Sequence, residues 1–124
     1  MAAVKVFEYA VLRATPRVDR GESVNIGVLL YCQVDDLLTV RLHVDAPRLR
    51  ALDGDVDVDG VLQAAQGLQR TCAGEGPAAS TSLGQRFRWL TAPRSTVLST
   101  GPVHSALAAD PAGELDRLVD LLVR

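Results

Sequence analysis

The chain has 124 residues, of which 48% are hydrophobic and 4% aromatic, so we expect one domain, residues 1–124, with an aliphatic core. Its net charge of −2 argues against generic nucleic-acid binding, which relies on many positive side chains against phosphates. No stretch approaches the roughly 20 apolar residues of a membrane span, and the N-terminus lacks a signal-peptide pattern. We therefore expect a soluble, cytoplasmic protein with no membrane partner.

Three strands open the predicted fold as an antiparallel meander. Residues 4–14 alternate in part between apolar and polar side chains and end at Thr15-Pro16, because proline supplies no N–H to a sheet. Residues 23–33 are nearly continuous in apolar side chains, which is typical of a central strand with both faces covered. Residues 37–44 alternate, so we expect one buried face and one wet face.

A helix is predicted after the meander. Residues 47–54 form a short helical turn or loop, and residues 61–72 place apolar side chains at helical spacing, with Asp59 available as the N-cap. The next segment, 73–82, is rich in Gly, Pro, Ala and Ser, which predicts a loop.

The C-terminal third is predicted to add a strand and a helix. Residues 87–90 and 95–100 can each be extended, and at least one should join the sheet. Asp110 caps an amphipathic helix that begins at Pro111. The predicted class is α+β: a mainly antiparallel sheet, made of the N-terminal meander and at least one later strand, with two helices packed on one face.

Residues 55–60, DVDVDG, match the first half of a calcium-binding loop, with Asp55, Asp57 and Asp59 at alternating positions before Gly60. The second half fails, because the neutral Gln66 stands where a bidentate Glu is needed. The favoured interpretation is a polar connection whose last aspartate caps a helix, with calcium as the alternative.

The cysteines and histidines show no metal-ligand spacing. Cys32 and Cys72 lack a C-x-x-C pattern, so we expect two reduced, mostly buried thiols. His43 falls on the wet face of the third strand. His104 stands near serines and ahead of Asp110, so a Ser-His-Asp arrangement can be written, but no nucleophile motif accompanies it and a turn histidine is favoured. We predict no metal and no cofactor.

Residues 86–94, RFRWLTAPR, carry three positive charges and two aromatic rings without an acid. This composition suits stacking and phosphate contact, but strand alternation gives a simpler interpretation, in which Phe87 and Trp89 pack inward while Arg86 and Arg88 point to solvent. If this segment neighbours the first strand, a basic face is expected from Arg13, Arg17, Arg20, Arg86, Arg88 and Arg94.

Polar residues crowd the entrance to the second strand, in RVDRGESVNIGVLLYC at residues 17–32. Gly21 suggests a turn conformation that other residues resist, and Glu22 or Asn25 can tie down N–H groups of that turn. Gly27, inside a strand, predicts a bulge or a close approach by another backbone or a ligand. A turn built for geometry and a site built for chemistry both remain open.

Two segments, YAVLRATPRVDRGESVNIGVLLY and RFRWLTAPRSTVLSTGPVHSALAADPAGELDRLVDLLV, resemble a bacterial family catalogued as domain of unknown function 3037. The resemblance implies a small single-domain bacterial protein, often encoded beside a HipA-like kinase, and it assigns no catalytic residue. The positions that look like the family signature are Arg13, Pro16, Arg20, Gly21, Glu22, Asn25, Gly27, Pro93, Arg94, Ser95, His104, Asp110 and Pro111.

Two functions follow as hypotheses. The first is an accessory or protein-interaction module that docks a partner such as a HipA-like kinase, with homo-oligomerisation compatible. The second is a small enzyme or binding protein for a phosphate-bearing or other anionic molecule. In that case the candidate functional cluster is Arg13, Arg20, Glu22, Asn25, Arg94 and His104. Convergence of these six side chains in one pocket would favour the second hypothesis.

Overall fold

A computed structural model describes residues 3–93 and 96–124. Within them the chain forms strands, α-helices and one short 3-10 helix at Gly76–Ser80. In chain order the main elements are β1 Lys5–Ala14, β2 Val24–Cys32, β3 Leu37–Leu42, α1 Ala46–Leu52, α2 Val58–Cys72, α3 Leu83–Leu90, β4 Leu98–Thr100, β5 His104–Ala108 and α4 Pro111–Leu122.

The strands form one antiparallel sheet in the order β3-β2-β1-β4, and β5 also pairs with β1. β4 lies against Leu12–Ala14, and β5 lies against Lys5–Tyr9. β4 and β5 therefore make one edge of the sheet, interrupted at residues 101–103. The predicted α+β class, the meander of β1 to β3 and the addition of a later strand are confirmed.

A β-bulge bends the pairing of β1 with β2. Leu12 pairs with Gly27, whereas Arg13 pairs with Asn25, so Ile26 is the extra residue. A Cβ at Gly27 would lie 2.7 Å from the backbone oxygen of Arg41. The bulge and the close backbone approach predicted at Gly27 are therefore both present.

Helices cover both faces of the sheet. Side chains of a strand alternate between faces, and Val28 and Leu30 pack on α4 while Leu29 between them packs on α2 and α3. Covering both faces agrees with the continuous apolar run predicted for β2. The two predicted helices, α2 and α4, lie on opposite faces of the sheet rather than on one face. The helices α1 and α3 are too short for apolar periodicity to separate them from loops or strands.

The segment 87–90, predicted as a candidate strand, is instead the end of helix α3. The helix begins at a capping box, in which the Gln85 N–H donates to Ser82 Oγ at 3.2 Å. The Ser82 N–H donates in turn to Gln85 Oε1 at 3.1 Å. Leu98–Thr100 is extended as expected, and Ser95 lies outside the described residues.

The helix ends differ from prediction at one cap. Asp57, rather than Asp59, caps α2, accepting a hydrogen bond from the Gly60 N–H at 3.0 Å. Asp110 holds the N-cap position of α4 and Pro111 begins the helix, as predicted, but the Asp110 side chain makes no capping hydrogen bond. Among the helices of residues 3–93 and 96–124, none is long and apolar enough to cross a membrane.

Candidate functional site

The loop between β1 and β2 neutralises its own charges. Arg17 Nη2 lies 2.7 Å from Asp19 Oδ2, and Arg20 Nε lies 2.6 Å from Glu22 Oε1, with all four side chains exposed. The hydrogen bond from Arg17 lowers the pKa of the Asp19 carboxyl. Gly21 adopts a positive φ of 75°, the left-handed turn conformation that glycine favours. Arg20 and Glu22 therefore pair with each other across the turn.

Asn25 ties β2 to the end of α4. Its Nδ2 donates to the backbone oxygen of Leu122 at 2.9 Å, from a half-buried position. The last carbonyls of a helix have no partner within the helix, so this bond satisfies a group that would otherwise need water. The contact gives Asn25 a structural role in joining two elements far apart in sequence.

Arg13 stands opposite Asn25 in the β1–β2 pairing, and its guanidinium lies over Gly101. A Cβ at Gly101 would be 2.8 Å from Arg13 Nη2, so a side chain at this position would have to displace the guanidinium. Arg13 makes no hydrogen bond or ion pair within the described part of the chain.

His104 lies in strand β5, not in the predicted turn. It is directly opposite Tyr9, with the two ring centroids 5.3 Å apart. Tyr9 and Arg13 are four residues apart on β1, which places His104 about 13 Å from Arg13 along the strand. Ser105 follows His104 in the strand and points to the opposite face, so it does not complete a Ser-His pair.

The candidate cluster is thus divided among several places. Arg13 and Asn25 are neighbours on β1 and β2, Arg20 and Glu22 pair in the loop, and His104 packs beside Tyr9 at the sheet edge. Arg94 lies outside the described residues. None of the described members lines either of the two cavities beside Trp89.

The predicted basic face does not form from Arg17, Arg20, Arg86 and Arg88. Arg88 forms a two-pronged ion pair with Glu8, with Nη1–Oε2 at 2.6 Å and Nη2–Oε1 at 3.1 Å. The pair raises the pKa of Arg88. The paired loop arginines likewise present acids beside their charges, so a concentrated positive surface does not form.

Arg86 is buried, contrary to its predicted place in solvent. Its side chain is 8% exposed and donates to the backbone oxygens of Cys72, Ala78 and Thr81 at 3.1 Å each. Its Nε also donates to Thr81 Oγ1 at 3.2 Å. Gly74, with φ of 87°, leaves room for the guanidinium, since a Cβ there would lie 3.1 Å from Nη1.

Arg86 therefore joins the end of α2, the 3-10 helix and the start of α3. Strand alternation over residues 86–94 predicts that Arg86 points to solvent, so it does not reveal this role. The sequence Ser82-Leu-Gly-Gln85 is a capping-box pattern, and it would have placed Arg86 in the first turns of a helix beside the buried Phe87.

Two cavities flank Trp89, which is 59% exposed. The first has a volume of about 490 Å³ and includes Arg86, Glu75 and Thr71 in its lining. The second, of about 440 Å³, shares Thr71 and Trp89 and is otherwise largely apolar. The concave surface of the described molecule that combines charged and apolar walls is therefore here, away from the predicted cluster.

Cys32 and Cys72 are free and buried, as predicted. Burial raises the pKa of the Cys72 thiol to about 11, against a smaller lowering by Arg86. Within residues 3–93 and 96–124, no three His, Cys, Asp or Glu side chains are grouped to hold a metal ion. In the calcium-like stretch, Asp57 is engaged as the cap of α2.

The fold and site define a small α+β protein with an antiparallel sheet between helices and a grooved helical surface. The chain belongs to the family described as Protein of unknown function (DUF3037), whose model matches residues 9–123. The family predicted from the two end segments is thus confirmed over nearly the whole chain. No curated protein and no solved structure matches it.

Proposed function

We propose that this chain is a bacterial, cytoplasmic protein-interaction module that binds an extended segment of a partner protein along strand β5. The observation that carries the proposal is an exposed apolar pair at the sheet edge. Val6 and Leu107 stand directly opposite each other on β1 and β5, and their side chains are 56% and 68% exposed. Apolar side chains grouped on a surface favour association with another protein.

The backbone of β5 supports the same proposal. β5 pairs with β1 on one side, and within the described residues no strand lies on its other side. Its sequence, HSALA, contains none of the Lys, Pro or acidic residues that natural proteins place on edges to prevent pairing. A partner segment can therefore add to the sheet through main-chain hydrogen bonds.

The opposite edge offers a contrast. β3 carries Arg41, which is exposed and forms an ion pair with Asp116 of α4. A charged side chain on an edge strand discourages strand addition, because an incoming strand must desolvate it. Strand addition is therefore favoured at β5 over β3.

The partner that we propose is a HipA-like kinase, since the family resemblance implies genes for such kinases beside those of its members. The test is co-expression of the chain with the adjacent kinase, affinity purification and measurement of the Kd. Leu107→Lys should weaken binding at least about tenfold, because a charge at a desolvated apolar contact is costly.

Leu121→Lys is the matched control, because Leu121 is 67% exposed but lies on α4. It should bind like the unaltered chain. Failure of the kinase to co-purify with the unaltered chain, or equal loss in the two variants, would overturn the proposal.

A second candidate function, binding of a phosphate-bearing or other small anion, is favoured by Arg13 alone. Its guanidinium has no ion pair within residues 3–93 and 96–124. A half-buried arginine without a carboxylate partner can donate hydrogen bonds to an anionic ligand. Inorganic phosphate should then raise the melting temperature of the unaltered chain but not of Arg13→Gln. An Arg50→Gln variant, at an exposed helix position, should respond as the unaltered chain does. An equal response in all three proteins would refute this candidate.

A further inference from the structure

We propose that the groove beside Trp89 binds an α-amino acid with a large apolar side chain, a property beyond the docking function above. The inference rests on one juxtaposition. The cavity of about 490 Å³ is lined by a buried cation, Arg86, and an anion, Glu75. Neither forms an ion pair with any residue in the described part of the chain.

Arg86 supplies the site for a carboxylate. Its four hydrogen bonds all go to neutral oxygens, and they leave one of its five N–H groups, on Nη1, without a partner among the described residues. The negative end of α2 offsets part of the charge through the bond to the Cys72 oxygen. A buried guanidinium without a carboxylate partner still favours an anionic ligand group, since buried charges are stabilised by pairing.

Glu75 supplies the site for an ammonium group. It is exposed beside the same cavity, and its carboxylate accepts no hydrogen bond from the described residues. A simple anion in this cavity would meet Arg86 favourably and Glu75 unfavourably, and a simple cation would meet the reverse. A ligand that carries both charges satisfies both residues, which is the electrostatic reason for a zwitterion.

The neighbouring cavity supplies the place for an apolar side chain. It has a volume of about 440 Å³, shares Thr71 and Trp89 with the first cavity, and is lined by Leu68, Leu90 and Leu98. An apolar group that leaves water for such walls gains about 25 cal/mol per Å². The charged and apolar halves of the groove thus match the two halves of an apolar amino acid.

The proposal is tested by titrating the chain with L-phenylalanine, 3-phenylpropanoate and phenethylamine. Trp89 is the only tryptophan of the chain, so its fluorescence reports directly on the groove. Phenylalanine should give a saturable change and bind at least about tenfold more tightly than either analogue, because each analogue lacks one charge-assisted contact.

Glu75→Gln provides the decisive variant, since it keeps the shape of the side chain and removes its charge. It should weaken phenylalanine about tenfold while leaving 3-phenylpropanoate as tight or tighter. Glu114→Gln, on α4, is the matched control and should leave all three affinities unchanged. No saturable change with phenylalanine, or the same preference among the probes after Glu75→Gln, would overturn the proposal.

Discussion

Charged residues are held in opposite ways in two segments of this molecule. In the loop segment, residues 17–27, the arginines lie in solvent and pair with acids two positions away. In the connecting segment, residues 72–89, Arg86 is buried and binds neutral oxygens from three parts of the chain. The loop segment is conspicuous in sequence and the connecting segment is not, yet the second holds a cavity and the stronger network.

The difference shows that a cluster of charged residues in the sequence does not by itself indicate a functional site. An arginine with an acid two residues away has a partner available wherever the backbone turns, so a cluster of such residues needs no further function. An arginine with no acid nearby in the sequence finds its acceptors elsewhere in the chain, and its role emerges only when the chain folds around it. Substitutions in the connecting segment should therefore cost more stability than substitutions of the paired residues in the loop segment.

Replacing Arg86 should produce the largest loss of stability. Arg86→Met keeps the apolar stem but leaves the buried oxygens of Cys72, Ala78 and Thr81 without donors, so the free energy of unfolding should fall by about 3 kcal/mol. Urea unfolding followed by circular dichroism measures it. Arg17→Met in the loop segment, where the arginine is exposed, should unfold at the urea concentration of the unaltered chain. Similar midpoints for the two variants would contradict the contrast.

Within the loop segment, Gly27 should be the most sensitive position. In Gly27→Ala the new Cβ would lie 2.7 Å from the Arg41 oxygen, a backbone atom that cannot move aside, so a loss of about 2 kcal/mol is expected. Gly21→Ala is the control for torsional cost alone, because its φ is 75° and nothing lies within 4 Å of a Cβ there. That variant should lose about 1 kcal/mol. If Gly21→Ala lost more stability than Gly27→Ala in urea unfolding, the bulge would be shown to tolerate a side chain.

The length of each element determines how well the sequence predicts it. β1, β2 and β3 are long enough for their alternation and apolar runs to be recognised, and Pro111 after Asp110 marks the start of α4. The eight residues of α3 contain Arg86, Phe87, Arg88 and Trp89, an order that fits strand alternation as well as helix periodicity. The capping box at Ser82 and Gln85 distinguishes the two, because it requires a helix N-terminus.

The candidate site was harder to predict than the fold. Some residues whose side chains are typical of active sites have structural partners instead. Glu22 accepts a hydrogen bond from Arg20, and Asn25 donates one to the Leu122 backbone oxygen. The hydrophobic periodicity of the sequence does not reveal either contact. The groove depends on Arg86 and Glu75 lining the same cavity, an arrangement set by tertiary packing. Composition marked residues 73–82 only as a loop, because Gly, Pro, Ala and Ser do not specify what a loop encloses.

Asn25 should show an intermediate effect that separates structure from chemistry in the loop segment. Asn25→Leu removes the donor to the Leu122 oxygen, so the free energy of unfolding should fall by about 1 kcal/mol. Hydrogen exchange should speed up in the last turn of α4, where that bond lies. Ser23→Ala, at an exposed position in the same segment, should change neither quantity. Unchanged hydrogen exchange in α4 after Asn25→Leu would show that Asn25 does not stabilise the end of this helix.

Cys72 in the connecting segment should make the stability of the protein depend on pH. Burial raises the pKa of Cys72 from its ordinary value of 9.0 to about 11, so the folded state favours the protonated thiol. This stabilisation is complete below pH 9, which is the unfolded value, and is lost as the pH rises towards 11. Cys72→Ala should therefore lose less stability than the unaltered chain between these pH values, in urea unfolding at each pH. Parallel curves for the two proteins would contradict a buried, protonated thiol.

The smallest effect is expected at the ion pair between Arg20 and Glu22 in the loop segment. Arg20→Gln and Glu22→Gln each remove one member of an exposed ion pair, with its atoms 2.6 Å apart across Gly21. Such pairs contribute less than about 1 kcal/mol, and salt screens them, so a double-mutant cycle should give a coupling that vanishes at high salt. A coupling that survives high salt would mean that the pair is held by more than its own charges, and it would return the loop segment to the list of candidate sites. Loss of the coupling with salt leaves Gly21 as the residue that shapes this turn and Gly27 as the residue that admits the close approach of the Arg41 backbone.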